Sequence, residues 1–228
     1  MLSTTDLRVS YGMSEVIHGI SLAVGENETL AIMGRNGMGK TTLFKSLIGI
    51  LPATGDISLK GQSLAGTQSY QRVAQGLAYV PQGRLVFPTL TVEENIATGL
   101  EATGRKRIPD DIFELFPVLH EMRHRKAGNL SGGQQQQLAI GRALAADPKV
   151  LLLDEPTEGI QPSIIKQLAR TLNEIKQLRK ISIVVSEQVL SFAMDVADRI
   201  LVIEKGNIVH EEARGTANKE KIASYLAV

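Results

Sequence analysis

The chain has 228 residues, 43% of them hydrophobic and 21% charged, with a formal net charge of +1 and no cysteine. That length and composition fit one globular domain, or one domain carrying a subdomain, with a substantial core. The lack of cysteine excludes disulfides and thiolate metal sites and suits a reducing compartment, and the near-neutral charge gives no reason to expect a nucleic-acid partner.

Apolar residues alternate from Asp6 to Val24 (Leu7, Val9, Tyr11, Ile20, Leu22, Val24), which predicts half-exposed antiparallel strands. Residues 1–10 carry charge within that alternation and lack the apolar core of a signal peptide. Gly25-Glu26-Asn27 turns into a short buried strand, Leu30 to Met33, and the chain then reads Gly34-Arg35-Asn36-Gly37-Met38-Gly39-Lys40-Thr41-Thr42. A helix is expected over Lys40 to Ile50. Ile57 and Leu59 lead to a hairpin turn at Lys60-Gly61-Gln62, and Leu77 to Val80 is a strand stopped by Pro81.

Residues from about Phe87 to Ala146 are expected to be mainly helical, with a polar stretch at 103–107. Val150 to Leu153 and Ile181 to Val185 are continuous apolar runs, as parallel strands buried on both faces require. Helical spacing runs from Ile164 to Leu178 between them, and Ile200 to Val209 closes as a hairpin around Lys205-Gly206-Asn207. The expectation is a single α/β domain over 1–228: a three-layer P-loop NTPase core, an N-terminal antiparallel β subdomain and an inserted helical subdomain near 87–146. No apolar run reaches the roughly 18 residues that span a bilayer, so a membrane role would come through a partner.

The loop Gly34 to Thr41 is G-x-x-x-x-G-K-[ST], whose glycines let backbone N–H groups curl round phosphate oxygens. Lys40 is placed to neutralise the β- and γ-phosphates and Thr41 to set a hydroxyl on Mg²⁺. Chance alone produces the pattern in roughly one chain in a hundred of this length, and the flanking strand and helix make accident rarer still. Asp154 and Glu155 follow an apolar strand, where a carboxylate sits beside the phosphate loop of a parallel sheet. Asp154 is the candidate Mg²⁺ ligand and Glu155 the candidate general base. Alone, the pair would read as an acidic turn. Gln82, after Pro81, can offer its amide to metal or water, and Tyr11 is either packing or an adenine platform. Leu130-Ser131-Gly132-Gly133-Gln134 opens a helix, a second place where backbone N–H groups can meet an anion.

Tyr11, the glycine loop, Gln82, Leu130 to Gln134 and Leu151-Leu152-Leu153-Asp154-Glu155-Pro156 occur in the order and spacing of an ABC-transporter ATP-binding subunit, which the chain resembles over essentially its whole length. The resemblance implies two such subunits, identical or different, clamping two ATPs head to tail. Each ATP would lie between Lys40, Asp154 and Glu155 of one subunit and the Ser131 to Gln134 segment of the other. It implies that Tyr11 stacks on adenine and that Gln82 senses the γ-phosphate and moves the helical subdomain. Residues 81–95 resemble bacterial importers of branched-chain amino acids and of urea or short amides. Residues 154–163 and the glutamine run 134–137 resemble the urea branch more closely. Such importers combine two ATPase subunits, two permeases and a solute-binding protein, with the ATPases peripheral on the cytoplasmic face of the inner membrane.

Two positions depart from the family pattern. Gln188 stands where a switch histidine is expected; its amide donates a hydrogen bond but does not titrate. Gln161 stands where aspartate is common. The rival reading is a soluble, non-transport ABC ATPase, which usually carries two ATPase halves or a long coiled-coil insertion; a P-loop kinase leaves the Ser131 segment unexplained. His120-Glu121-Met122-Arg123-His124 matches H-E-x-x-H, with both histidines on one helical face. Ala127 and Leu130 break its extended form, and Arg123, Arg125 and Lys126 repel a dication, so a solvated helix face is expected.

Overall fold

The computed structural model describes residues 1–227. The strands β1 (Leu2–Tyr11) and β2 (Ser14–Val24) form the predicted antiparallel hairpin, with Leu2 opposite Val24 and Tyr11 opposite Ser14. After β3 (Thr29–Met33) and α1 (Lys40–Leu47), β4 (Thr54–Leu59) and β5 (Gln62–Ser63) complete a four-stranded sheet ordered β2-β1-β4-β5. A short helix, α2 (Ser69–Ala74), precedes β6 (Leu77–Val80). The insert follows: α3 (Val92–Ala97), α4 (Asp110–Leu115), α5 (Pro117–Glu121) and α6 (Gly132–Ala145). The chain closes with β7 (Val150–Asp154), α7 (Pro162–Arg179), β8 (Ser182–Glu187), α8 (Leu190–Val196), β9 (Arg199–Glu204), β10 (Asn207–Ala213) and α9 (Lys219–Leu226).

The second sheet is ordered β10-β9-β3-β8-β7-β6, parallel throughout except for the β9–β10 hairpin. Its pleat divides the core in two, because successive side chains of a strand point to opposite faces. Leu30, Ile32, Leu152 and Val184 join α1 and the antiparallel sheet in one cluster. Ala31, Met33, Leu151, Leu153, Ile183 and Val185 join the helices of the insert and α7 and α8 in the other. This is the three-layer α/β arrangement expected.

Some expectations need correcting. The helix after the glycine loop ends at Leu47, short of Ile50. Gly49 turns left-handed (φ +82°), and the Arg72 guanidinium takes the carbonyls of Ser46 and Leu47 at 2.8 and 2.7 Å, satisfying groups a longer helix would have used. The insert opens with short helices before the longer α6, and its first begins at Val92, where Thr91 and Glu94 form a capping box. The segments just before α3 and after α5 are tied by backbone bonds, Val92 N–H to Arg125 O and Ala127 N–H to Leu90 O, both 2.9 Å. The helix α5 ends at Glu121, so His120 and His124 do not share a helical face. His120 packs edge-on against Phe113, and His124 lies 3.7 Å from Glu93. No helix among the described residues is long and apolar enough to cross a membrane.

Candidate functional site

Backbone register brings the site together. Met33 pairs with Glu187 and Asp154 with Ser186, so β3, β7 and β8 end at one level. The residues that follow (Gly34, Glu155 and Gln188) therefore emerge along one sheet edge, where parallel α/β sheets bind ligands.

The glycine loop curls from Gly34 to Gly39, the N-cap of α1. Gly39 adopts φ +103°, and a Cβ there would sit 2.9 Å from Ile17 Cδ1, so this turn admits little besides glycine. The first amides of α1 have no acceptor within the helix, and they face a cleft of about 180 Å³ lined by Val16, Asn36, Gly37, Gly39, Lys40, Thr41, Thr42, Gln82 and Glu155. Met38 fastens the loop outward: its carbonyl accepts from Gly206 N–H at 3.1 Å. Lys40 is buried, its side chain 3% exposed, and its ammonium donates to Gly34 O (2.6 Å) and Arg35 O (3.0 Å) and pairs with Glu155 Oε1 at 3.0 Å.

Glu155 is held in a left-handed conformation (φ +46°), a costly geometry for a non-glycine residue that turns its carboxylate toward the cleft. Its amide donates to Ser186 O and Ser186 Oγ, both at 3.1 Å. Its carboxylate receives Lys40 on Oε1 and Gln188 Nε2 on Oε2 at 3.1 Å, with Gln82 Nε2 at 3.5 Å. Gln188 Nε2 also reaches Asn36 Oδ1 at 2.8 Å, tying the end of β8 to the glycine loop. Gln82 makes its closer bond to Glu158 Oε2, at 3.0 Å.

Asp154 is buried. Ser186 Oγ donates to Oδ1 at 2.6 Å and Tyr79 OH to Oδ2 at 3.0 Å. Each carboxylate oxygen keeps lone-pair capacity beyond those bonds, and the Thr41 hydroxyl and the Gln82 amide oxygen, whose residues line the cleft, are hard oxygen donors of the same kind. That set suits Mg²⁺, which takes one or two carboxylates and completes its shell with water and phosphate. Burial and the Asp154 charge raise the Tyr79 phenol well above its ordinary value, so it stays a donor.

Asp154 does not itself line this cleft, and neither do Tyr11 and the Ser131 segment. Tyr11, 49% exposed, ends β1, and it is Val16 of the neighbouring strand that lines the cleft. Ser131 caps α6, its hydroxyl accepting from Gln134 N–H at 3.4 Å while Gln134 Oε1 accepts from Ser131 N–H at 2.9 Å. Ser131, Gly132 and Gly133 thus form a capped helix start on the insert, which the fold does not bring to the glycine loop of the same chain.

Sequence reasoning passed over Ser186 and Glu187, although they sit directly before Gln188. Glu187 is buried and accepts three backbone N–H groups, from Thr157 (3.1 Å), Gln188 (3.0 Å) and Val189 (3.2 Å). It clamps the loop after Glu155 to the loop carrying Gln188. Burial raises its carboxyl above the usual range despite those donors. Tyr79 was read only as part of a strand.

A glycine loop between a strand and a helix, with a carboxylate pair on the neighbouring strand end, defines a P-loop nucleotide hydrolase. Residues 17–158 match the ABC transporter family, and the chain belongs to it. The high-affinity branched-chain amino acid transport ATP-binding protein BraG of Pseudomonas aeruginosa is 39% identical, over 99% of each chain. The probable branched-chain amino acid transport ATP-binding protein LivF of Archaeoglobus fulgidus is 32% identical over 96% of this chain and 93% of its own. Among solved structures, an ATP-binding cassette of an ABC transporter in its ADP conformation superposes with a TM-score of 0.81 at 27% identity, covering 99% of this chain and 94% of that one. Cassettes of this family bind and hydrolyse ATP, and this chain is an ATPase of that kind.

Proposed function

We propose that this chain is the ATP-hydrolysing subunit of a bacterial importer, working head to tail with a second cassette on the cytoplasmic face of the membrane. The observation that carries the reading is the chain of contacts Lys40–Glu155–Gln188–Asn36 at the mouth of the glycine loop. Lys40 and the amides of Gly39 to Thr42 hold the terminal phosphates. When a polyphosphate draws the Lys40 ammonium, Glu155 loses its cation and becomes free to take the proton of an attacking water. Gln188 keeps the Glu155 carboxylate oriented and supplies the amide donor that a histidine supplies elsewhere. Thr41, Gln82 and Asp154 would hold Mg²⁺, which neutralises phosphate charge when bound. Tyr11, at the end of β1, is the adenine platform.

The capped start of α6 then serves a phosphate of the partner's nucleotide, since a helix N-terminus is an anion site and this one meets none in its own chain. The permeases dock on the insert side, where Tyr70, Leu85 and Phe87 are exposed beside an apolar groove of about 790 Å³ running along α6. For the solute, likeness to BraG and LivF favours branched-chain amino acids. Residues 154–163 and Gln134 to Gln137 favour urea or short amides, delivered by a separate solute-binding protein.

Glu155→Gln should cut hydrolysis by about 10² to 10⁴ without loss of nucleotide binding, and with ATP and Mg²⁺ should hold a closed dimer. Hydrolysis at the native rate removes Glu155 as the base. Mass spectrometry of what a tagged copy retains from detergent-solubilised membranes tests the assembly. Two permeases and a second ATPase support the importer, and the accompanying solute-binding proteins are then titrated with urea and with leucine. Recovery of ribosomes or nucleic-acid proteins alone moves the chain to the soluble branch.

A further inference from the structure

Between Gln82 and Phe87 the backbone takes a costly path. Gly83, Arg84 and Leu85 all have positive φ (+79°, +67° and +47°), and Leu85 N–H closes onto Gly83 O at 2.7 Å, a γ-turn centred on Arg84. That turn is the rare, strained form, and two non-glycine residues in succession occupy the left-handed region. Something must hold it. From one side Arg142 of α6 donates to Leu85 O (2.9 Å) and Arg84 O (3.4 Å) and lies over the Phe87 ring, 5.2 Å from its centroid. From the other, Arg84 reaches out of the turn and donates through Nη2 to Glu158 O at 2.8 Å and Gly159 O at 3.5 Å.

The Arg84 guanidinium also packs on the start of α6: a Cβ added to Gly132 would lie 3.2–3.3 Å from its atoms. A cation is unfavourable at a helix N-terminus, so the two carbonyl bonds must hold it there. One side chain therefore touches three segments: the turn bearing Gln82, the loop that follows Glu155, and the first turn of the helix that Ser131 caps. Gln82 tightens the same junction by donating to Glu158 Oε2 at 3.0 Å.

We propose that Arg84 is a positioning residue for ATP hydrolysis, a tether that keeps the Glu155 loop and the Ser131–Gly133 helix start in fixed relation as Gln82 responds to nucleotide. The proposal rests on the assignment of Glu155 as base and of Ser131 to Gly133 as the partner-facing anion site. The guanidinium does not line the phosphate cleft, so it acts on turnover and leaves binding to the cleft residues. Both carbonyl bonds run from Nη2 while Nη1 and Cζ also lie against Gly132, a spread of contacts that a compact ammonium does not reproduce.

The test measures steady-state ATPase kinetics and the Kd of a fluorescent ATP analogue for the full chain with Arg84, Arg84→Ala, Arg84→Lys and, in parallel, Glu155→Gln. Arg84→Ala should lower kcat about tenfold with Kd within about twofold of the native chain, and Arg84→Lys, which keeps a charged donor group, should recover part of the rate. A native kcat in Arg84→Ala overturns the proposal. So does a joint loss of kcat, nucleotide affinity and melting temperature, or a lysine variant no better than alanine. A native rate in Glu155→Gln brings down the site assignment itself; an inactive Glu155→Gln beside a fully active Arg84→Ala brings down only the tether.

Discussion

Glu155→Gln should bind ATP more tightly than the native chain when Mg²⁺ is withheld. In the structure Lys40 and Glu155 form a buried pair, with side chains 3% and 8% exposed and 3.0 Å between charged atoms. At an effective dielectric near 20, their gross attraction is about 5 kcal/mol. A phosphate that takes Lys40 must end that pairing, and it must also accept a carboxylate beside its own negative oxygens. Glutamine keeps an oxygen for Lys40 to donate to but removes the charge. Lys40 still donates from an ammonium, so its bond to glutamine stays at the low end of the charge-assisted range of about 1.5–3 kcal/mol. The ion pair sits at the high end, so the competing contact weakens by about 1–1.5 kcal/mol. That corresponds to a roughly five- to tenfold lower Kd. The assay is a fluorescence titration with an ATP analogue in chelator, at protein concentrations low enough to read single-chain binding. Because the pair is buried, the difference should persist in high salt, where exposed pairs are screened. Equal or weaker binding by the variant would show that Lys40 is not contested and refute the release of Glu155 by phosphate.

Gln188→Ala removes the donor to Glu155 and Asn36 and should lower the ATPase rate of the assembled complex at least about tenfold; near-normal turnover removes Gln188 from the site. Glu187 titrates above the usual range because of burial, so the native state binds its proton more readily than the unfolded chain. Stability then falls as pH rises through the window between the two values, and the burial cost is fully present above the folded one. Melting midpoints of wild type and Glu187→Gln, compared from about pH 8 down to about pH 5, should shift in favour of the wild type on acidification, and a constant difference counts against this titration. In Gly206→Ala the new Cβ would lie 1.9 Å from Val16 O at φ +74°, against the strand that receives Gly206 and beside its bond to Met38. The cost should exceed about 4 kcal/mol and lower the melting midpoint by roughly 10 °C or more. A loss below about 2 °C would mean the hairpin moves freely from β2.

The parts of the site legible in the sequence are those whose chemistry is local. The glycine loop carries its own turn geometry, and Asp154-Glu155 follows an apolar run that can only be a buried strand. The alternation over 6–24 was enough to place the β1–β2 hairpin. Contacts that depend on partners distant in sequence were not readable. Lys40 meets Glu155 only because parallel ladders bring β3, β8 and β7 to one level, and Ser186 looks like any serine until Asp154 is set beside it. The end of α1 was misjudged because Ile48 and Ile50 continue the helical pattern while Arg72, from α2, supplies the stop. The H-E-x-x-H spacing described a helix that the chain leaves at Glu121. Arg84 was unreadable for another reason: nothing in its neighbours announces a left-handed backbone at a non-glycine residue.

The common level of the strand ends also sets what kinds of change a lineage of such proteins can accumulate. One residue added within β7 or β8 would exchange every side chain beyond it between the two cores and carry the acidic pair about 3.3 Å along the sheet. Length variation is therefore barred from the strands. The polar stretch at 103–107, between α3 and α4, is exposed, and Gly104 there has no atom within 4 Å of where its Cβ would be. Insertions and deletions can gather there, letting the surface of the insert vary while the strand ends beneath it keep their spacing.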